Sequence, residues 1–273
     1  MGLEWVTYRV VSCRIETYRV LGSYASMDAS AGIIVPAIIA VRVTGSMANS
    51  IRLRERQRES KMEFAQQFKT LTGHEPFPWQ VNLYRCFAQG DVPEVCDIPT
   101  GLGKTSVIPI WAIALANSIV VPRRLVYVIN RRTVVDQATE EAIRLREQVR
   151  FPLAISTLRG EMADNEEWST DPARPAIIVG TIDMVGSRLL FSGYGDGYKR
   201  RPHHAGLIGQ DSLIVHDEAH LTPAFSALLR AIAGEERKDG EPRPIRVMEL
   251  SATSRQVPSV PLRSLSSQPR TEK

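Results

Sequence analysis

From Met62 onward, short β-branched apolar runs alternate with amphipathic stretches. Six runs read as buried strands: Val95 to Ile98, Leu125 to Ile129, Leu153 to Ser156, Ala176 to Gly180, Ser212 to His216 and Val247 to Leu250. Apolar residues at helical spacing fill the gaps and predict helices over Thr133 to Gln148, Ile182 to Phe191 and Ala224 to Ala233. Strands and helices alternating in this way predict an α/β fold, a mostly parallel central sheet with helices on both faces. Ser192 to Gln210 breaks the rhythm: it is glycine-rich and basic, carries His203 and His204, and has neither a helical nor a strand period. A surface excursion is expected there.

Residues 1–61 do not share the rhythm either. Ile51 to Lys61 is a charge run, read as a solvated helix or linker. Because Met62 opens the ordered pattern, residues 1–61 are taken as an N-terminal extension, and an over-extended reading of the gene is one explanation for them. Residues 62–254 are expected to form one lobe, and 255–273, rich in Ser, Pro and Arg, to be a disordered tail. With 43% hydrophobic and 23% charged residues the chain falls in the range of a folded domain, not of a disordered protein. The longest apolar run, Ala31 to Val43, is broken by Pro36 and is shorter than the roughly 20 residues of a membrane span. Met1 to Ser12 lacks the layout of a signal peptide, so a cytoplasmic location is expected. Cys13, Cys86 and Cys96 have no metal-ligand spacing and read as buried free thiols.

The chain's pI of about 9.1 suggests a polyanionic partner until the charge is located. Residues 1–61 carry nine Lys/Arg against five acids and residues 255–273 four against one, which leaves 21 basic and 24 acidic residues between them. Bulk charge therefore says little about what the central lobe binds.

Specific chemistry begins at Asp97-Ile-Pro-Thr-Gly-Leu-Gly-Lys-Thr105, which follows one expected strand and opens a helix. Glycines let the backbone curl so that successive N–H groups face phosphate oxygens. On this reading Thr100, Gly101, Leu102, Gly103, Lys104, Thr105 and Ser106 hold the phosphates of ATP; Lys104 reaches the β- and γ-phosphates and Thr105 ligates Mg²⁺. Ile98 stands where the general phosphate-loop pattern has its first glycine, so a glycine-rich turn is the competing reading of this segment alone. Leu213-Ile-Val-His-Asp-Glu-Ala-His220 then ends an apolar strand in two adjacent acids. Asp217 would hold Mg²⁺ and Glu218 would polarise the attacking water, the arrangement of a Walker B strand. His216-Asp217 also spells the dipeptide of HD nucleases, but no second His/Asp set accompanies it, and a nuclease is rejected. Val247-Met-Glu-Leu-Ser-Ala-Thr253 is a third strand ending in hydroxyl residues. Upstream, Phe77-Pro-Trp-Gln80 supplies an aromatic and an amide; Gln80 is read as contacting the adenine edge, with a capped helix start as the other reading.

In this order the motifs resemble those of a superfamily 2 helicase, which implies a RecA-like P-loop lobe. The wording of Cys96 to Ser106, Tyr127 to Gln137, Ile155 to Gly160, Ile178 to Leu190 and Val215 to Leu221 is similar to the CRISPR-associated DEAH-type helicase of type I systems, the Cas-three helicase, in its I-G (formerly I-U) branch. That resemblance implies an ATP-driven motor recruited to a CRISPR surveillance complex, moving 3′ to 5′ on single-stranded DNA that a nuclease domain degrades. It implies that Asn130, Arg131, Arg132, Thr133, Thr157, Arg159, Gly160, Thr181 and Asp183 face the strand. It makes His220 a catalytic link between the ATP site and the strand, and Ser251 and Thr253 the residues that couple hydrolysis to movement.

The family's second RecA-like lobe, with its arginine fingers, has no counterpart after Thr253, which reads as truncation of the chain and implies weak or absent hydrolysis by it alone. A nucleotide-dependent binding module that docks to a CRISPR complex or to a separate second lobe is the alternative. An RNA helicase or a restriction translocase fits the motif wording less well.

Overall fold

The computed structural model describes residues 10–11, 62–159 and 166–252. Cys13, Gly160 and Thr253, the remainder of 1–61 and the 255–273 segment lie outside the described residues. Seven strands form one sheet: β1 (Val10–Val11), β2 (Val95–Asp97), β3 (Arg124–Ile129), β4 (Ala154–Leu158), β5 (Ala176–Thr181), β6 (Ser212–Asp217) and β7 (Arg246–Ser251), in the order β1-β2-β7-β6-β3-β5-β4. Strands β2 to β7 run parallel, and the two-residue β1 lies antiparallel on β2. All residues of β3 and β5 are buried, and β6 is buried until Asp217. Parallel strands covered on both faces need such unbroken apolar runs, because neither side meets water.

The helices divide between the two faces. A helix over 62–72 (α1), α2 (Pro78–Ala88), α3 (Val107–Ala116) and α4 (Arg132–Gln148) pack on one side, where Phe64, Phe87, Trp111, Tyr127, Val135 and Leu213 share a core. On the other side lie α5 (Glu167–Thr170), α6 (Ile182–Leu189), α7 (Arg201–Gly209) and α8 (Pro223–Lys238), around Val126, Trp168, Ile178, Ile208 and Leu229. The sequence of α3, VIPIWAIALA, is apolar all round, and eight of its residues are buried. A helix without a polar face is stable only when enclosed, and the Trp111 indole still donates a 2.8 Å bond to the Pro122 carbonyl. Cys86 and Cys96 are buried, as expected.

The expected α/β arrangement is present, with shifted boundaries. β4 extends to Leu158, α6 ends at Leu189, and α8 runs to Lys238, past the last apolar residue that marks it in the sequence. The segment 192–210 is the main correction: its second half is helix α7, not an irregular excursion. Pro202 sits in the first turn of that helix, where its missing N–H costs nothing. A nine-residue helix gives too few turns for its period to stand out, and part of what it buries is charged. His204 Nδ1 lies 2.9 Å from Asp196 Oδ2, and Arg188 of α6 donates to Asp196 Oδ1 at 3.3 Å. All three side chains are almost fully enclosed, and the Trp168 ring packs on His204 with centroids 4.9 Å apart.

Removing one member of a buried ion pair leaves the other desolvated and uncompensated, at a cost of about 3–5 kcal/mol. Arg188→Met is therefore expected to lower the unfolding free energy, read from denaturant melts, by an amount in that range. Lys69→Met, which removes a surface pair with Glu75, is expected to leave the midpoint nearly unchanged.

Candidate nucleotide site

β2 delivers the chain to the turn at 98–103, and several contacts fix that turn. Gly101 and Gly103 have φ of 83° and 68°, the left-handed region that glycine enters without a β-carbon clash. At Gly103 a β-carbon would also lie 3.1 Å from Ser106 Oγ. The Trp79 indole of α2 donates to the Leu102 carbonyl at 3.1 Å, and the Ile98 N–H donates to the Ser251 carbonyl at 2.8 Å. Lys104–Ser106 form a single 3₁₀ turn that leads into α3. Lys104, Thr105 and Ser106 are half-buried, and Thr100, Gly101 and Gly103 are exposed.

Opposite this loop, β6 ends at Asp217. In the β3–β6 register Tyr127 pairs with Val215, so Tyr127 and Asp217 project to the same face of the sheet. The Tyr127 hydroxyl donates to Asp217 Oδ2 at 3.1 Å, with the Thr105 side chain beside the same phenol. Burial raises the Asp217 carboxyl above the usual carboxylate range; the Lys104 charge, the Tyr127 hydroxyl and the Glu218 N–H pull it back. Burial, and next the Asp217 charge, push the Tyr127 phenol well above its ordinary value, so it acts as a neutral donor. Glu218 follows at φ 52°, left-handed for a residue with a side chain, which costs on the order of 1–3 kcal/mol and turns its carboxylate away from the line of β6.

Thr105 and Asp217 offer hard oxygen donors on the two sides of one gap. This set fits Mg²⁺, which is held by one or two protein oxygens together with substrate phosphates and water. Among the described residues no cluster of three or more His, Cys, Asp or Glu could hold a metal, so an all-protein cage is not the arrangement here.

Beside the loop is a cleft of about 740 Å³ whose lining includes Phe77, Gln80, Gly101, Gly103, Gln137 and Arg144. Phe77 is 45% exposed, and Gln80 is buried. Gln80 Oε1 accepts the Phe77 N–H at 2.7 Å, which caps α2, while its Nε2 lies toward Gly103. The amide expected at the adenine edge thus also braces the helix that carries Trp79.

The residues expected along a nucleic-acid strand gather at the C-terminal edge of the sheet. Asn130, Arg131, Arg132 and Thr133 are exposed at the start of α4, and Asp183 is exposed in the first turn of α6, with Thr181 buried as its N-cap. Thr157 lies within β4 instead of the following loop, its hydroxyl 3.1 Å from that of Thr139, and Arg159 is ion-paired with Asp136 of α4. His220 Nδ1 lies 3.5 Å from Ser251 Oγ. His216 projects to the opposite face, bonded to Thr222 Oγ1 at 2.8 Å and Ser226 Oγ at 3.1 Å. Burial, and then the Arg230 charge, lower it to about 4, so it is neutral near pH 7. Sequence reasoning missed Tyr127 and Trp79 as parts of the site. The signal for Trp79 was its adjacency to Gln80; Tyr127 stood in an apolar run and read only as core.

The sequence profile of the DEAD/DEAH box helicase family matches residues 78–259. A search of curated proteins finds no match. Among solved structures, a DEAD box protein from the hyperthermophile Methanococcus jannaschii is 20% identical at a TM-score of 0.45, over 69% of this chain and 47% of that one. A hypothetical ATP-dependent RNA helicase from Sulfolobus tokodaii is 21% identical at 0.44, over 71% and 50%. The Type ISP restriction-modification enzyme LlaGI, solved with a DNA substrate mimic, is 13% identical at 0.42, over 66% and 18%. The chain spans half or less of the length of each of these three proteins.

Tyr127→Phe removes one hydroxyl from a packed position without changing its shape. It is expected to keep the fold and to raise severalfold the Mg²⁺ concentration at which a fluorescent ATP analogue half-saturates the protein, as read by titration.

Proposed function

Since the chain belongs to the DEAD/DEAH box helicase family, we propose that its ATP site drives movement on single-stranded DNA, 3′ to 5′, in type I CRISPR interference. The superfamily 2 ATP-binding lobe is the common ground of the family match and the RecA-like fold. The observation that carries the reading is the Tyr127 hydroxyl, hydrogen-bonded to Asp217 at the Asp-Glu strand end and set beside Thr105 of the glycine-rich loop. The DNA substrate and the CRISPR setting are supported by the wording of Tyr127 to Gln137, Ile178 to Leu190 and Val215 to Leu221, and a cytoplasmic place of action belongs to the same reading.

In this proposal the curled N–H groups of 101–105 and Lys104 hold the phosphates, and Phe77 and Gln80 border the base. Thr105 and Asp217 hold Mg²⁺, which when bound neutralises charge on the β- and γ-phosphates. Glu218, placed beside Asp217 by its turned backbone, orients a water and takes its proton. A second RecA-like lobe supplies the arginine that stabilises the transferring phosphoryl group. Asn130 to Thr133, Thr181 and Asp183 form the track for the strand, where hydroxyls and exposed arginines hold phosphates without reading bases. A nuclease domain and a surveillance complex complete the assembly. The alternative, a nucleotide-dependent docking module without motor action, uses the same ATP site.

The test is binding of a fluorescent ATP analogue with Mg²⁺, with and without single-stranded DNA or RNA, alongside ATPase turnover. Lys104→Ala is expected to weaken the analogue at least tenfold. Glu218→Gln is expected to bind within about twofold of the parent while any DNA-stimulated turnover falls by two orders of magnitude or more. DNA should tighten analogue binding more than RNA does, and Arg131→Ala/Arg132→Ala should weaken that coupling. A preference for RNA would refute the DNA reading; ATP-dependent capture of the surveillance complex without coupling to DNA would favour the docking module.

A further inference from the structure

Leu190, Phe191, Tyr194 and Tyr198 are exposed by 57%, 61%, 62% and 86%. They crowd into nine positions of the segment between α6 and α7, LFSGYGDGYKRR (190–201), in which glycines alternate with rings and three cations close the run. Over 188–204 the Lys/Arg residues are Arg188, Lys199, Arg200 and Arg201, and Asp196 is the sole acid. That acid is buried beneath the segment on Arg188 and His204, and Arg200 is met by Glu166, so Lys199 and Arg201 carry the outward charge of the run.

The segment has a built conformation. The Ser192 and Gly193 N–H groups both donate to the Ser187 carbonyl, at 2.8 and 3.1 Å, which closes the end of α6. Gly193 has φ 35°, and a β-carbon there would collide with the Asp196 carboxylate. Arg200 pairs with Glu166 at 2.5 Å, and Arg201 Nε donates to the Asp196 carbonyl at 3.4 Å. A buried ion pair and a glycine that admits no side chain thus hold a row of rings in solvent. Folding alone gives no reason to spend them in that way.

We propose that residues 190–201 form a second binding site, for single-stranded nucleic acid, separate from the track at the C-terminal edge of the sheet. Exposed rings stack unpaired bases without reading sequence, worth about 1–3 kcal/mol per base, and Lys and Arg beside them hold the phosphates. A protein partner would be met better by a continuous aliphatic patch; here three of the four apolar groups are aromatic and cations flank them. The site lies with α6 and α7 on the face opposite α1, α2 and α4, so it can hold a strand without touching the nucleotide cleft. It stands on this surface alone and does not depend on ATP turnover.

Fluorescence anisotropy of a labelled oligothymidylate and of a duplex, on the full chain without nucleotide, tests it. Tyr194→Ala/Tyr198→Ala is expected to lose at least about tenfold in single-strand affinity with duplex affinity unchanged. Tyr194→Phe/Tyr198→Phe should retain it, because stacking needs the ring and not the hydroxyl. Lys199→Gln should flatten the salt dependence of single-strand binding. Arg131→Ala/Arg132→Ala should remove the coupling between DNA and the ATP analogue while cross-links of the strand to 190–201 persist, which separates failure of this site from failure of the track. Should the alanine variant misfold, cross-linking of an iodouracil-substituted strand to a peptide from 190–201 decides in its place. Unchanged affinity in the folded alanine variant, or cross-links confined to the sheet edge, would overturn the proposal. So would loss of a protein partner from the alanine variant without loss of single-strand binding.

Discussion

Asp217 sits where burial opposes its charge, and the groups that offset burial are the ones an ATP site needs: Lys104, the Tyr127 hydroxyl and the Glu218 N–H. Their convergence depends on the register of β3 against β6. With Tyr127 level with Val215, both Tyr127 and Asp217 face α3 and α4. A slip of one residue would exchange the two faces of β6, sending Asp217 into the α8 side and His216 toward the phosphate loop. Each side resists this. His216 is matched by Thr222 and Ser226, which would be left unpaired, and an unpaired Asp217 would enter a core lined by Phe225 and Leu229. The register is thus held by polar partners as well as by apolar packing, and the placement of the acids follows from it.

Much of this was legible in the sequence because parallel strands buried on both faces leave an unmistakable run of apolar residues. All six of the expected strands formed, and the phosphate loop and the Asp-Glu pair lie at strand ends as their spacing implied. Tyr127 was not legible as a functional group. Nothing local distinguishes a tyrosine that fills a core from one whose hydroxyl bonds a strand end 90 residues away in sequence; only the strand register does that. Helix α7 was hidden for another reason. Gly193, Gly195 and Gly197 and the neighbouring aromatic and basic residues dominate the composition of 192–210, while its buried side has few apolar residues, Ala205, Leu207 and Ile208, beside the polar Asp196 and His204 that meet Arg188. Hydrophobic patterning does not register the polar part of such a core.

The two faces of the sheet carry different physical tasks. On the side of α1 to α4 a large apolar core surrounds α3, so the turn before that helix stands on an immobile base. Trp79 and Ile98 tie it further, to α2 and to β7. On the side of α5 to α8 the core is smaller and includes buried polar networks, centred on His216 and on Asp196. Polar networks demand particular geometry and fix loops that apolar contact alone would leave free to slide. The conformation of 190–201 and the turn at Glu218 both follow elements anchored in this way.

Ser251 connects these arrangements at a single residue. Its carbonyl accepts the Ile98 N–H at the root of the phosphate loop, and its hydroxyl lies 3.5 Å from His220 in the turn after Glu218. The first contact is short and belongs to the sheet edge, so the backbone of Ser251 moves with β2. The second is at the long limit of a hydrogen bond, where a few tenths of an ångström strengthen or break it. A shift of the phosphate loop on its root therefore alters the contact to His220 while leaving the sheet intact. The small hydroxyl residue at the end of β7 thus contacts both the root of the glycine-rich loop and the turn that follows Glu218.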